Sequence, residues 1–110
     1  MKYLYITLLL ATMNSFGQLV KVDYADGNQK LEGFFAKAQK ANPKKIGVIV
    51  LPAWMGVDTH AKESAENLSK LGYHAFVADI YGVENNPKNT GEAGKNVKES
   101  IKRYKINTKV

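Results

Sequence analysis

"VLPAWMGVDTH", residues 50–60, is the stretch on which the reading of the fold turns. A strand-like apolar run stops at Pro52, and Trp54 and Met55 then sit beside Gly56 in what must be a loop. Large apolar side chains next to a residue that accepts positive φ at little cost call for a reason. Upstream, "IGVIVL", residues 46–51, is short, β-branched and without polar alternation. That pattern predicts a strand buried on both faces of a parallel sheet. Downstream, residues 59–71 predict a helix. Asp58 or Thr59 can cap it, Ala61, Ala65 and Leu68 fall on one face, and Gly72 stands where a C-terminal glycine belongs. "YHAFVAD", residues 73–79, predicts a second buried strand, so the centre of the chain is a βαβ unit with a right-handed crossover.

Farther out on the N-terminal side, "LVKVDYADGNQKLEGFFAKA" predicts a hairpin. Val20, Val22 and Tyr24 alternate with Lys21 and Asp23, and Asp26-Gly27 is a strong turn dipeptide. "KAQKANPKK" is a surface connection. On the C-terminal side, "IYGVENNPKNTGE" is a long polar loop. A second helix starts at about Glu92, with Ala93, Val97, Ile101 and Tyr104 at helical spacing and Asn89 or Thr90 as cap.

The 110 residues suffice for one small domain, and a hydrophobic fraction of 45% is that of a globular chain. With no cysteine there is no disulfide, no thiolate metal site and no thiol nucleophile. The net charge of +6 is concentrated in residues 95–110, where six cations face the single Glu99. A basic chain end with one aromatic, Tyr104, and no reading element does not point to nucleic acid; a solvated helix end accounts for it. No paired His/Asp/Glu spacing suggests a metal, and no cofactor is expected.

The first residues read as an export signal. Lys2 precedes the apolar "YLYITLLLATM", and Ser15 and Gly17 are small residues at the spacing a signal peptidase needs. The apolar run is about a dozen residues, whereas a spanning helix needs about 20. The expectation is a signal peptide over 1–17 and a domain over 18–110, exported to the periplasm or secreted, with no stable membrane anchor after cleavage. A buried N-terminal helix or strand is the alternative.

The order of parts carries a resemblance: hairpin, buried strand, "LPAWMG" loop, helix ending "LSKLGY", strand ending "ADIYG", then "NPKNTGEAG". From about Val22 to Gly94 the chain resembles the N-terminal portion of the dienelactone hydrolase family. The resemblance implies an α/β class: an incomplete α/β-hydrolase sheet made of an N-terminal β-hairpin, a βαβ unit and a further helix. It implies hydrolysis of a small-molecule ester or lactone. In α/β hydrolases the loop after the third strand gives one backbone N–H to the oxyanion hole. By that motif the donor here is the Trp54 amide, with Trp54, Met55 and Tyr81 as substrate-binding candidates. One such donor contributes about 3–4 kcal/mol of transition-state stabilisation. The bland reading of Trp54 and Met55 is core at the sheet end, and Tyr81 either lines the pocket or packs under the loop.

Three departures from the family pattern stand out. Many members carry a His-Glu pair where this chain has Pro52 and Ala53. The arginine expected soon after the "DIYG" tyrosine is replaced by Val83 and Glu84, which argues against a dicarboxylate-like substrate. The glycine-flanked nucleophile elbow is missing: Ser15, Ser64, Ser69 and Ser100 lie in no such motif. The acid and histidine follow the nucleophile in chain order, and the sequence stops before all three. His60 and His74 have no neighbouring nucleophile, and Asp79 is expected to cap the turn before Tyr81. The 110 residues alone are therefore expected to be inactive and marginally folded, with "IGVIVL" left as an aggregation-prone edge. A non-catalytic exported interaction module, using the Trp54–Met55–Tyr81 surface or the basic tail, is the alternative.

Overall fold

The computed structural model describes residues 19–107. The signal-peptide expectation for residues 1–17 lies outside the described residues. Four strands, two α-helices and a short 3-10 turn follow in the order β1 (Val20–Asp26), β2 (Gln29–Ala36), β3 (Gly47–Val50), α1 (Thr59–Lys70), β4 (His74–Val77) and α2 (Thr90–Asn107), with the 3-10 turn Val83–Asn85 between the last two.

The strands form one mixed sheet in the order β1-β2-β4-β3. β1 and β2 are the expected antiparallel hairpin, with Val22 opposite Gly33 and Tyr24 opposite Leu31. Asp26 pairs with Gln29, so the two turn residues are Gly27 and Asn28 rather than Asp26 and Gly27. Gly27 takes the positive φ, +58°, at the first central position, which a type II′ turn needs and glycine supplies cheaply. β4 runs antiparallel to β2 and parallel to β3, so β3–α1–β4 is the expected βαβ unit.

α1 forms because both of its ends are closed by its own sequence. The Asp58 carboxylate accepts from the Ala61 N–H at 2.9 Å, which settles the cap between Asp58 and Thr59. At the far end Gly72, at φ +95°, lets its N–H reach the Ser69 carbonyl and the Tyr73 N–H reach the Leu68 carbonyl, the two bonds of a Schellman motif.

The core is the seam between α1 and one face of the sheet: Ala61 and Ala65 meet Ala36, Ala75 and Val77, flanked by Phe34, Val50, Val57 and Leu68. Alanines on both sides let the helix approach closely, but they bury little apolar area. The other face carries Phe35, Phe76 and Ile49, which pair across the strands. Among the described residues no helix covers that face. The expectation that residues 46–51 are buried on both faces is therefore corrected, whereas the strand expected over 73–79 is buried on its helix-covered face. Ala75 and Val77 are fully buried, whereas Ile49 is 69% exposed and Leu51 72% exposed. An unbroken apolar run shows that both faces could be dry; only the packing of neighbours decides whether they are. On this second face Phe76 lies over Gly33, whose missing side chain makes the room, and meets Tyr24 edge-on at 5.7 Å.

α2 starts at Thr90, capped by the Asn89 side chain, which accepts from the Glu92 N–H at 2.9 Å. Glu92 in turn accepts from the Lys88 N–H at 2.8 Å. Ala93 is fully buried but Ile101 is half exposed, so only the first turns of the expected apolar face are covered. No helix among the described residues is long and apolar enough to cross a membrane.

Candidate functional site

The carboxyl ends of the parallel strands β3 and β4 lie side by side, which is where ligands bind in open α/β sheets. Two loops leave from there. The first, after β3, is the Pro52–Gly56 stretch. Its tip is a turn closed by the Gly56 N–H donating to the Ala53 carbonyl at 2.9 Å. Gly56 sits at φ +78°, and a β-carbon there would stand 3.4 Å from the Tyr81 ring and 3.4 Å from Pro87. Glycine is favoured here by the positive φ, while the second loop packs against it at ordinary contact distance. Pro52 is buried, Met55 is half-buried and Trp54 is 49% exposed.

The second loop follows β4 and is organised by Asp79. One carboxylate oxygen accepts from the Tyr81 N–H at 3.0 Å and the Gly82 N–H at 2.9 Å. The other accepts from the Glu32 N–H of β2 at 3.1 Å. The Asp79 N–H itself donates to the Tyr24 hydroxyl at 2.8 Å. Asp79 therefore caps the turn, as expected, and also ties it to the hairpin.

Tyr81 connects the two loops. It is buried beneath the first loop, and its hydroxyl donates to the Trp54 carbonyl at 2.8 Å. Burial pushes its phenol pKa above the usual tyrosine value. The Gln29 and Asn85 side-chain amides both donate to its carbonyl. The Trp54 carbonyl is thus held from below by a neutral hydroxyl. The Trp54 N–H, on the preceding peptide, donates no hydrogen bond to any described residue and lies in neither a helix nor the sheet ladder.

A cleft of about 120 Å³ opens beside these loops, lined by Glu32, Phe34, Val57, Lys62, Asp79 and Val83 among others. The Lys62 ammonium lies 4.1 Å from the Phe34 ring centroid on its wall. Trp54, Met55 and Tyr81 are not among its lining residues. Of the three sequence candidates, the structure joins Trp54 and Tyr81 by a hydrogen bond. Glu32, Phe34 and Lys62 escaped the sequence reading, because a charged strand residue and a lysine in a helix carry no local signal of facing one cleft.

The two histidines stand apart. His60 is exposed in the first turn of α1. His74 is 3.0 Å from the Ala38 N–H, from which its Nδ1 accepts, and its ring stacks on Phe35. Among the described residues no cluster of three or more His, Asp and Glu side chains could hold a metal ion.

Comparisons with known proteins bear on the family and the fold. The family model described as the dienelactone hydrolase family matches residues 31–109. The solved structure named m3DLH superposes with a TM-score of 0.71 at 25% identity, covering 81% of this chain and 37% of its own. A dienelactone-hydrolase-like promiscuous phosphotriesterase from metagenomic libraries gives 0.67 at 32% identity, covering 76% of this chain and 35% of its own. A protein from Klebsiella pneumoniae assigned as a dienelactone hydrolase gives 0.53 at 19% identity, which bears on the fold alone. A comparison with curated protein sequences gave no match. The chain spans about a third of the length of the solved structures it matches.

Proposed function

Since the chain belongs to the dienelactone hydrolase family, we propose that it forms the N-terminal part of an acyl hydrolase and supplies one donor of that enzyme's oxyanion hole. The donor is the Trp54 backbone N–H. The observation that carries this reading is the state of that amide: it is unbonded to any described residue, at the carboxyl edge of parallel strands, in a turn fastened by Tyr81 and Gly56. A donor fixed before the reaction needs no reorganisation when negative charge develops on the acyl oxygen. In this reading the half-exposed Trp54 and half-buried Met55 side chains supply apolar surface for the substrate's acyl group.

The substrate is a small carboxylic ester or lactone. One structural relative is described as a promiscuous phosphotriesterase, and a phosphoryl oxygen presents the same charge to such a donor. Nucleophile, acid and histidine come from sequence outside these 110 residues, and residues 1–17 direct export to the periplasm or beyond. In this role the 110-residue chain binds no cofactor and hydrolyses nothing by itself. Turnover of p-nitrophenyl acetate above a heat-treated control would contradict that. Reading the nucleotide sequence downstream of Val110 in three frames tests the assignment itself: a continuation with a glycine-flanked cysteine or serine supports it.

A second reading, an exported interaction module without catalysis, is favoured by one observation. Ile46, Ile49 and Leu51 are exposed together on and beside the edge strand β3. A clean terminator and intergenic region after Val110 would select it.

A further inference from the structure

A cavity lies at the opposite end of the sheet from the Trp54 loop, where β3 and β4 begin. It is an open concavity of about 340 Å³ between the 38–45 connection and the start of β4. That is within the range of small-ligand sites, which start near 300 Å³. Its polar lining is one-sided: Lys40 and Lys45 are cations, His74, Gln39 and Asn42 bring further polar groups, and no Asp or Glu lines it. The neighbouring C-terminus of α1 would ordinarily repel an anion. Here the carbonyls of Asn67, Leu68 and Ser69 already accept from Leu71, Tyr73 and Gly72.

The walls of this cavity are built rather than incidental. The Gln39 N–H donates to the Ser69 carbonyl at 2.9 Å, and its side-chain amide donates to the Ser69 hydroxyl at 3.1 Å. Ser69 is fully buried, so this pair anchors the connection to α1. The Asn42 carbonyl and side chain accept from the Lys45 and Lys44 N–H groups at 3.0 Å. These bonds hold Lys45 at φ +48°, a conformation uncommon for a residue with a β-carbon. Gly72 closes the floor, where a β-carbon would stand 3.3 Å from Lys40. His74 Nδ1 accepts from the Ala38 N–H, which leaves Nε2 as the donor of the neutral ring.

We propose that this cavity is a binding site for a small oxyanion, a phosphate- or carboxylate-bearing molecule, held by Lys40, Lys45 and the His74 ring. Two ammonium groups supply charge-assisted hydrogen bonds to anionic oxygens, and the imidazole adds a directional donor. The site is independent of the acyl-hydrolase reading, because none of its residues belongs to the two loops of the candidate active site.

The test is a titration of the 15N-labelled full chain with inorganic phosphate, and separately with citrate, at ionic strength held constant with sodium chloride. The expected result is saturable shifts confined to residues 38–45 and 72–74. Saturation by phosphate alone assigns the ligand as a phosphate compound, by citrate alone as a polycarboxylate, and by both as an oxyanion of either kind. Lys40→Gln and Lys45→Asn should each weaken binding about fivefold, as exposed charge contacts do. Asparagine is chosen at 45 because it tolerates positive φ. Linear, unsaturated shifts spread over all lysines would overturn the proposal, as would affinity unchanged in the double variant with its spectrum intact.

Discussion

Tyr81 is the residue on which the candidate site depends, because among the described residues it is the only side chain that hydrogen-bonds the Trp54 carbonyl. Tyr81→Phe removes that hydroxyl and leaves the Trp54 carbonyl without it. The expected loss is about 1 kcal/mol, the usual net worth of such a bond. Trp54 is the single tryptophan, so its fluorescence reports on the loop directly during urea unfolding. A spectrum and midpoint identical to the parent chain would show that the bond fixes nothing. The raised phenol pKa gives a pH prediction with a definite sign. The unfolded chain ionises Tyr81 first, so stability is unaffected by this group below about pH 10, the ordinary tyrosine value. It falls as pH rises from there through the folded pKa. Urea midpoints measured from pH 8 to 11 should drop less in Tyr81→Phe than in the parent; equal slopes would remove the group from the account. At this scale the local signals were legible in sequence: the Asp58 cap, the Gly72 terminator and the Asp79 turn. The Tyr24–Asp79 and Tyr81–Trp54 bonds were not, since they join residues 55 and 27 positions apart, and no local pattern encodes a tertiary partner.

Among the elements, the hairpin and the β3–α1–β4 unit were legible from periodicity and turn chemistry, and the extent of strand burial was not. Alternation fixes which residues share a face, but not whether another element lies over that face. β3 shows the consequence. Among the described residues it lies at the edge of the sheet, paired only with β4; it presents Ile49 to solvent, and Leu51 is exposed just beyond its end. A flat apolar edge with free backbone groups is a template for strand addition. Gel filtration of the full chain should therefore show concentration-dependent self-association, and Ile49→Lys should reduce it with little change in unfolding midpoint. A monomer at all concentrations would contradict this. β2 and β4 make the opposite demand at Gly33, where a β-carbon would stand 2.5 Å from the Phe76 ring and 2.6 Å from the Val77 carbonyl. Gly33→Ala is expected to cost about 1–3 kcal/mol, as overpacking does, read from the urea midpoint. A neutral effect would mean that the Phe76 ring and the β4 backbone at Val77 both give way freely.

At the scale of the molecule, among the described residues one helix covers one face of a four-stranded sheet, and the shared core is mostly alanine. Val77 is the largest fully buried side chain among the described residues. Since stabilisation follows the apolar area removed from water, such a core supports little, and the fold is expected to be marginal. The fold is an incomplete α/β-hydrolase sheet, and the chain spans about a third of the structures that share it. In the proposed role, this part acts through what it presents at its carboxyl edge. Amide hydrogen exchange across the chain, resolved by residue, examines that edge most directly. The Trp54 amide is predicted to exchange at the rate of an unprotected loop, while the Ala61 amide, bonded to Asp58, and the Val77 amide in the ladder exchange slowly. A Trp54 amide protected as strongly as Val77 would mean that this donor is already occupied, and no acyl oxygen could take it.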